Sequence, residues 1–131
     1  MAKIRVTKEF NFEIAHALWN YDGPCANIHG HSYKLCVTVL GQPEPNPKNP
    51  KLGMVIDFKF IKDIIKKNII HNLDHACMLY DKTPKEIVET LKSGYSNIVL
   101  VPYQPTCENI LLEMVDLLSD KLPQEVSLVK L

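Results

Sequence analysis

The 131-residue sequence has no surplus of either charge: 15 Lys and Arg stand against 15 Asp and Glu, with no long run of one sign. Bulk electrostatic attraction to nucleic acid or to an anionic membrane is therefore not expected. No stretch approaches the roughly 20 apolar residues of a membrane span. The opening Met-Ala-Lys-Ile-Arg-Val contains no apolar signal segment, so a cytoplasmic protein is expected. The four cysteines (Cys25, Cys36, Cys77 and Cys107) form no Cys-x-x-Cys pair, and without a secretion signal no disulfide framework is expected. Internal repeats and low-complexity tracts are also missing. What remains is a chain of one-domain length, residues 1–131, with 46% hydrophobic residues, enough to bury a core.

Hydrophobic period supplies the elements. Residues 3–16 read as a strand with Phe10, Phe12, Ile14 and His16 on its apolar side. Residues 19–30 read as a loop, and residues 31–41 as a second strand, most simply antiparallel to the first. A proline-rich loop follows from Gly41 to Lys51, then a strand-like Gly53–Ile56. Asp57 is expected to cap a helix over 58–71 whose buried stripe is Phe58, Ile61, Ile65 and Ile69. Thr83-Pro84-Lys85-Glu86 reads as a capping box with proline at the first helical position, opening a helix that ends before Gly94. Asn97–Tyr103 reads as an edge strand, 107–121 as a last helix capped near Thr106, and Val126–Leu131 as a final strand. The pattern is α+β, with helices on one face of an antiparallel sheet. So small a sheet leaves edges that a second copy could cover.

The chain centres on Cys25-Ala-Asn-Ile-His29-Gly-His31-Ser-Tyr33. His29 and His31 share one face of an extended chain. A strand pairing that brings in His16 adds a third imidazole, and three ligands leave the fourth zinc position open, as catalytic sites do. Zinc is favoured over copper or iron, although the ligand set alone does not decide it. Cys25 is either an ordinary loop thiol or a base whose thiolate nearby cations favour. Asp74-His75 is either a helix-end turn or an Asp-oriented histidine. Thr106 and Glu108 begin a helix, and residue pattern alone assigns Glu108 no substrate contact. Cys36, Cys77 and Cys107 are expected as small core residues.

Five stretches in order, Phe-Glu-Ile-Ala-His at 12–16, Cys-x-x-x-His-Gly-His-Ser-Tyr at 25–33, Gly-Met-Val-Ile-Asp-Phe at 53–58, Leu-Asp-His at 73–75 and Pro-Thr-Cys-Glu-Asn at 105–109, cover nearly the whole chain. In them the sequence resembles the 6-pyruvoyl-tetrahydropterin synthase family, which includes the 6-carboxy-tetrahydropterin synthases of queuosine biosynthesis. The resemblance implies zinc on His16, His29 and His31, a catalytic Cys25 with Asp74 and His75 completing its relay, and a pterin pocket lined by Thr106 and Glu108. It implies 7,8-dihydroneopterin triphosphate as the small-molecule substrate, the tunnelling fold with subunits forming a barrel, and a homohexamer made of two trimers. The three-residue spacing between Cys25 and His29 points to the 6-carboxy branch, with release of acetaldehyde and triphosphate. The alternatives are triphosphate elimination to the 6-pyruvoyl product and a non-catalytic zinc- and pterin-binding member. The family's last strand leads into a Glu-Thr pair whose glutamate anchors the pterin. No such pair follows Val126–Leu131 here, and a chain ending at Leu131 is expected to lack that anchor.

Overall fold

The protein is described from a computed structural model covering residues 2–123 and, as backbone, 127–130. Strand β1 (Ile4–Ala17) pairs antiparallel with β2 (His29–Gly41) along its whole length, from Ile4 opposite Gly41 to His16 opposite His29. Alternation decides which face is dry. Phe10, Phe12, Ile14 and His16 are buried, while Glu9, Asn11 and Glu13 are exposed between them. Leu35, Val37 and Val39 of β2 lie opposite the even-numbered residues of β1 and are buried with them.

The other strands are β3 (Ala76–Tyr80), β4 (Ile98–Val101) and β5 (Ser127–Lys130), in the order β4-β3-β1-β2-β5. β3 runs parallel to β1 and β4 parallel to β3, while β5 is antiparallel to β2. The sheet is thus mixed rather than antiparallel. β3 and β4 are parallel because the helix over Lys85–Gly94 crosses between them and returns the chain in its original direction, whereas β3 is parallel to β1 because the chain leaves β2 and comes back antiparallel to it on the far side of β1. The final strand expected over Val126–Leu131 is present from Ser127 to Lys130, and its two end residues lie outside the described residues.

Helix α1 (Phe58–Ile65) starts at Asp57, whose side chain accepts from Lys59 N at 2.9 Å. It does not run on as one α-helix. Lys66–Ile70 forms a π-helical turn, and one further α turn, α2 (His71–Leu73), leads to Asp74. Asn68 Nδ2 donates to the Ile64 carbonyl at 2.8 Å, satisfying an acceptor within this irregular segment. Ile61, Ile65 and Ile69 are buried as expected, whereas Phe58 is exposed. Helix α3 (Lys85–Gly94) begins later than the capping-box reading requires: Pro84 occupies the cap position, and Thr83 Oγ1 is buried without a partner. Helix α4 (Cys107–Ser119) is capped by Thr106, which accepts from Asn109 N at 3.2 Å. Gly53–Ile56 is turn rather than strand. Gly53 has φ +84°, a left-handed conformation that glycine adopts without strain.

The dry face of the sheet forms one core with Ile61, Ile65 and Ile69 and with Ile110, Met114 and Leu118 of α4. Fully burying one such side chain contributes about 1.5–3 kcal/mol. The end of α3 stands over the opposite face, where Leu91 and Tyr95 share a hollow with Ala15, Cys77 and Ile98. Of the cysteines expected in the core, Cys36 and Cys77 are half-buried and Cys107 is exposed on the first turn of α4.

Candidate functional site

The β1/β2 register assembles the histidines. His16 and His29 face each other directly, and His31 lies opposite Ile14 on the same side. Ring centroids are 4.5 Å apart for His16–His29, 5.1 Å for His16–His31 and 4.8 Å for His29–His31. One nitrogen from each ring lies within 4.8 Å of the others, so the trio could hold a metal ion.

Two of the rings are fixed through their other nitrogen. His16 Nδ1 donates to the Pro105 carbonyl at 2.6 Å, and His29 Nδ1 donates to the Asn27 carbonyl at 2.7 Å. A carbonyl can only accept, so each Nδ1 carries the ring proton and each Nε2 presents a bare lone pair when the ring is neutral. Those two Nε2 atoms face each other at 3.0 Å. Facing lone pairs repel unless a proton or a cation lies between them, so the donor set fits a divalent metal. Burial, and then the neighbouring His29 and His31 charges, hold the His16 pKa below its ordinary 6.5 against the opposing Pro105 bond. The neutral form that results is the one that binds metal.

Asp74 and His75 are brought together at the entry to β3. His75 Nδ1 lies 3.1 Å from Asp74 Oδ1. The pair is clamped to the main chain of Glu13 on β1: Glu13 N donates to Asp74 Oδ1 at 2.9 Å, and His75 N donates to the Glu13 carbonyl at 2.6 Å. His75 has φ +63°, a left-handed conformation costing a non-glycine residue about 1–2 kcal/mol. Its ring remains largely exposed. His31 and His75 line one hollow of about 380 Å³ with Glu13, Ala15 and Ser32. A larger hollow of about 510 Å³, around Val55, Asp57 and Phe60, contains none of the candidate residues.

Cys25 is half-buried in a short 3-10 turn (Pro24–Ala26), and its carbonyl accepts from Leu18 N at 3.0 Å. Its Sγ is not among the clustered metal-ligand atoms. Among the described residues no hydrogen bond joins Cys25 to His75. Thr106 and Glu108 lie at the start of α4, directly after the Pro105 carbonyl that holds His16. The Asn27 and Pro105 carbonyls and the Glu13 main chain escape sequence reasoning, because backbone groups leave no side-chain signature.

A sequence model of the 6-pyruvoyl tetrahydropterin synthase family matches residues 5–131. Relatives named 6-carboxy-5,6,7,8-tetrahydropterin synthase include one from Haemophilus influenzae, 40% identical over 81% of this chain and 75% of its own. Another, from Rickettsia felis, is 35% identical over 82% and 74%. A third, from Aquifex aeolicus, is 29% identical over 98% and 90%. The fold is similar to that of 6-pyruvoyl tetrahydropterin synthase from Caenorhabditis elegans, with TM-score 0.60 and 22% identity over 99% of this chain and 96% of that one. It is also similar to an uncharacterized protein of Wolinella succinogenes, with TM-score 0.70 and 19% identity over 99% of both chains. From the match that begins at Arg5 and the kinship with named tetrahydropterin synthases, the chain belongs to the 6-pyruvoyl tetrahydropterin synthase family.

Proposed function

We propose that the protein is a zinc-dependent lyase that converts 7,8-dihydroneopterin triphosphate and one water to 6-carboxy-5,6,7,8-tetrahydropterin, acetaldehyde and triphosphate. The observation that carries this reading is the convergence of His16, His29 and His31 with two Nε2 lone pairs face to face. The names of relatives 29–40% identical support the 6-carboxy product. Zinc on the three histidines would supply Lewis acidity toward the substrate side chain.

The remaining chemistry belongs to the chain. Cys25 Sγ, as thiolate, takes a proton from the side-chain carbon. Asp74 Oδ1 accepts from His75 Nδ1, which leaves His75 Nε2 bare and able to exchange a proton with a side-chain hydroxyl. The exposure of the His75 ring leaves room for substrate at that nitrogen. Glu13 fixes the Asp74 carboxylate through its N–H, so the relay is oriented before substrate arrives. Thr106 and Glu108 hold the pterin ring. A hexamer of two trimers, each closing a barrel, would cover the edge strands β4 and β5. The free cysteines agree with a cytoplasmic location.

The test is one incubation of zinc-loaded protein with 7,8-dihydroneopterin triphosphate, with acetaldehyde and pterins assayed together. Acetaldehyde with the 6-carboxy product is expected. The 6-pyruvoyl product without acetaldehyde overturns the assignment. Cys25→Ala is expected to abolish turnover while zinc stays bound, and surviving turnover would remove Cys25 from the proton transfer.

A further inference from the structure

Gln104 precedes the Pro105 whose carbonyl fixes His16, and its side chain grips the same segment three residues further along. Trp19 N donates to Gln104 Oε1 at 3.0 Å, and Gln104 Nε2 donates to the Trp19 carbonyl at 2.9 Å. The two bonds run in opposite senses, so the amide pairs with Trp19 much as a neighbouring strand would. The Gln104 main-chain carbonyl is itself held by Thr106 N at 2.7 Å and by Asn109 Nδ2 at 3.0 Å, which ties the clasp to the first turn of α4. One residue before Trp19, Leu18 N donates to the Cys25 carbonyl. Immediately after it the chain turns through Asn20 in a left-handed conformation, φ +68°. The position of Cys25 relative to His16 therefore passes through three links: Pro105 on His16, Gln104 on Trp19, and Leu18 on Cys25.

We infer that Gln104 is a positioning residue whose side-chain amide sets the Cys25 loop in register with the histidine cluster. The turnover arm of its test rests on the lyase reading above; the labelling arm does not.

The experiment compares Gln104→Ala and Gln104→Glu with the parent chain, all zinc-loaded. Gln104→Ala removes both bonds. Gln104→Glu keeps an acceptor for Trp19 N but sets a second oxygen against the Trp19 carbonyl. The first readout is the rate at which iodoacetamide labels Cys25, followed by peptide mass, with Cys36 and Cys77 as internal references. The second is zinc content, and the third is kcat and KM with 7,8-dihydroneopterin triphosphate. Both variants are expected to keep their zinc and unchanged labelling of Cys36 and Cys77. The Cys25 labelling rate is expected to shift by about threefold or more, with kcat lower by about tenfold to a hundredfold and KM nearly constant. Unchanged Cys25 labelling in the two variants overturns the inference. So does loss of zinc, failure to fold, or a parallel change at Cys36 and Cys77, because Gln104 would then serve the fold at large. A parent chain without turnover refutes the lyase reading, and labelling still decides the role of Gln104.

Discussion

Removing single histidines from the trio separates metal binding from folding, because the three are not buried alike. His16 is 6% exposed, and its Nδ1 satisfies the Pro105 carbonyl. His16→Ala leaves that acceptor unpaired and opens a cavity, so the metal-free protein is expected to lose about 2–4 kcal/mol. For a chain of this size that is a fall of about 8–16 °C in Tm. His29 is only half-buried, and its bond to Asn27 is solvent-exposed. His29→Ala removes that bond but also relieves the facing Nε2 lone pairs, so the metal-free stability should stay within about 1 kcal/mol of the parent. Zinc at a hundred times its dissociation constant stabilises the parent by about 2.7 kcal/mol, a rise of about 11 °C. With a ligand missing, either variant should lose most of that rise. The assay is thermal unfolding at neutral pH, with chelator and with zinc. The reasoning fails if zinc raises the Tm of His29→Ala as much as that of the parent, or if His16→Ala melts with the parent in chelator.

Other outcomes follow from the same structure. His75→Asn is expected to keep the fold, since asparagine tolerates the left-handed conformation at φ +63°, while kcat falls by about a hundredfold or more through loss of proton exchange; steady-state kinetics beside circular dichroism would check both halves. Ile69→Ala, at a fully buried core position, should cost about 3–4 kcal/mol in urea unfolding. The Lys51 hydrogen bond, and then the Lys59 backbone N–H, hold the Asp57 carboxyl below its ordinary 3.8. Its stabilisation is therefore complete above pH 3.8 and lost as pH falls through the lower native value. The Tm gap between the parent and Asp57→Asn should be widest near neutrality and close in acid. A gap that widens on acidification would contradict the ion pair.

Much of the site was legible because it is written in side-chain parity. Phe10, Phe12, Ile14 and His16 alternate with exposed Glu9, Asn11 and Glu13, and that alone places His16 beside His29 once the strands pair. The caps at Asp57 and Thr106 were equally readable, since each depends on one side chain and the next few N–H groups. β3 was not, because Ala76–Tyr80 is a short continuous apolar run that suits a buried helix segment as well as a buried strand. Nor was the parallel half of the sheet, since direction is decided by crossovers rather than by the strands themselves. Thr83 matched a capping motif, yet the helix began later and left its hydroxyl buried. The Gln104 clasp lies next to a recognisable motif, but its partner is a backbone 85 residues away.

The π-helical turn at Lys66–Ile70 acts as a rotational vernier. An α-helix advances by about 100° per residue, so the wider turn sets the angle at which everything after it leaves the helix. Leu73 packs against the core, and Asp74 and His75 meet Glu13, at the azimuth the chain has after this turn. Closing this wide turn to ordinary α-helical bonding with all its residues kept would leave one residue to be carried forward, and would turn Asp74 and His75 away from β1 by about that angle while keeping every residue that carries chemistry. A relative one residue shorter here, with an ordinary α turn in place of the wide one, would still present its Asp-His pair to β1, so alignments across this segment should be anchored on Leu73-Asp74-His75 rather than on helix length.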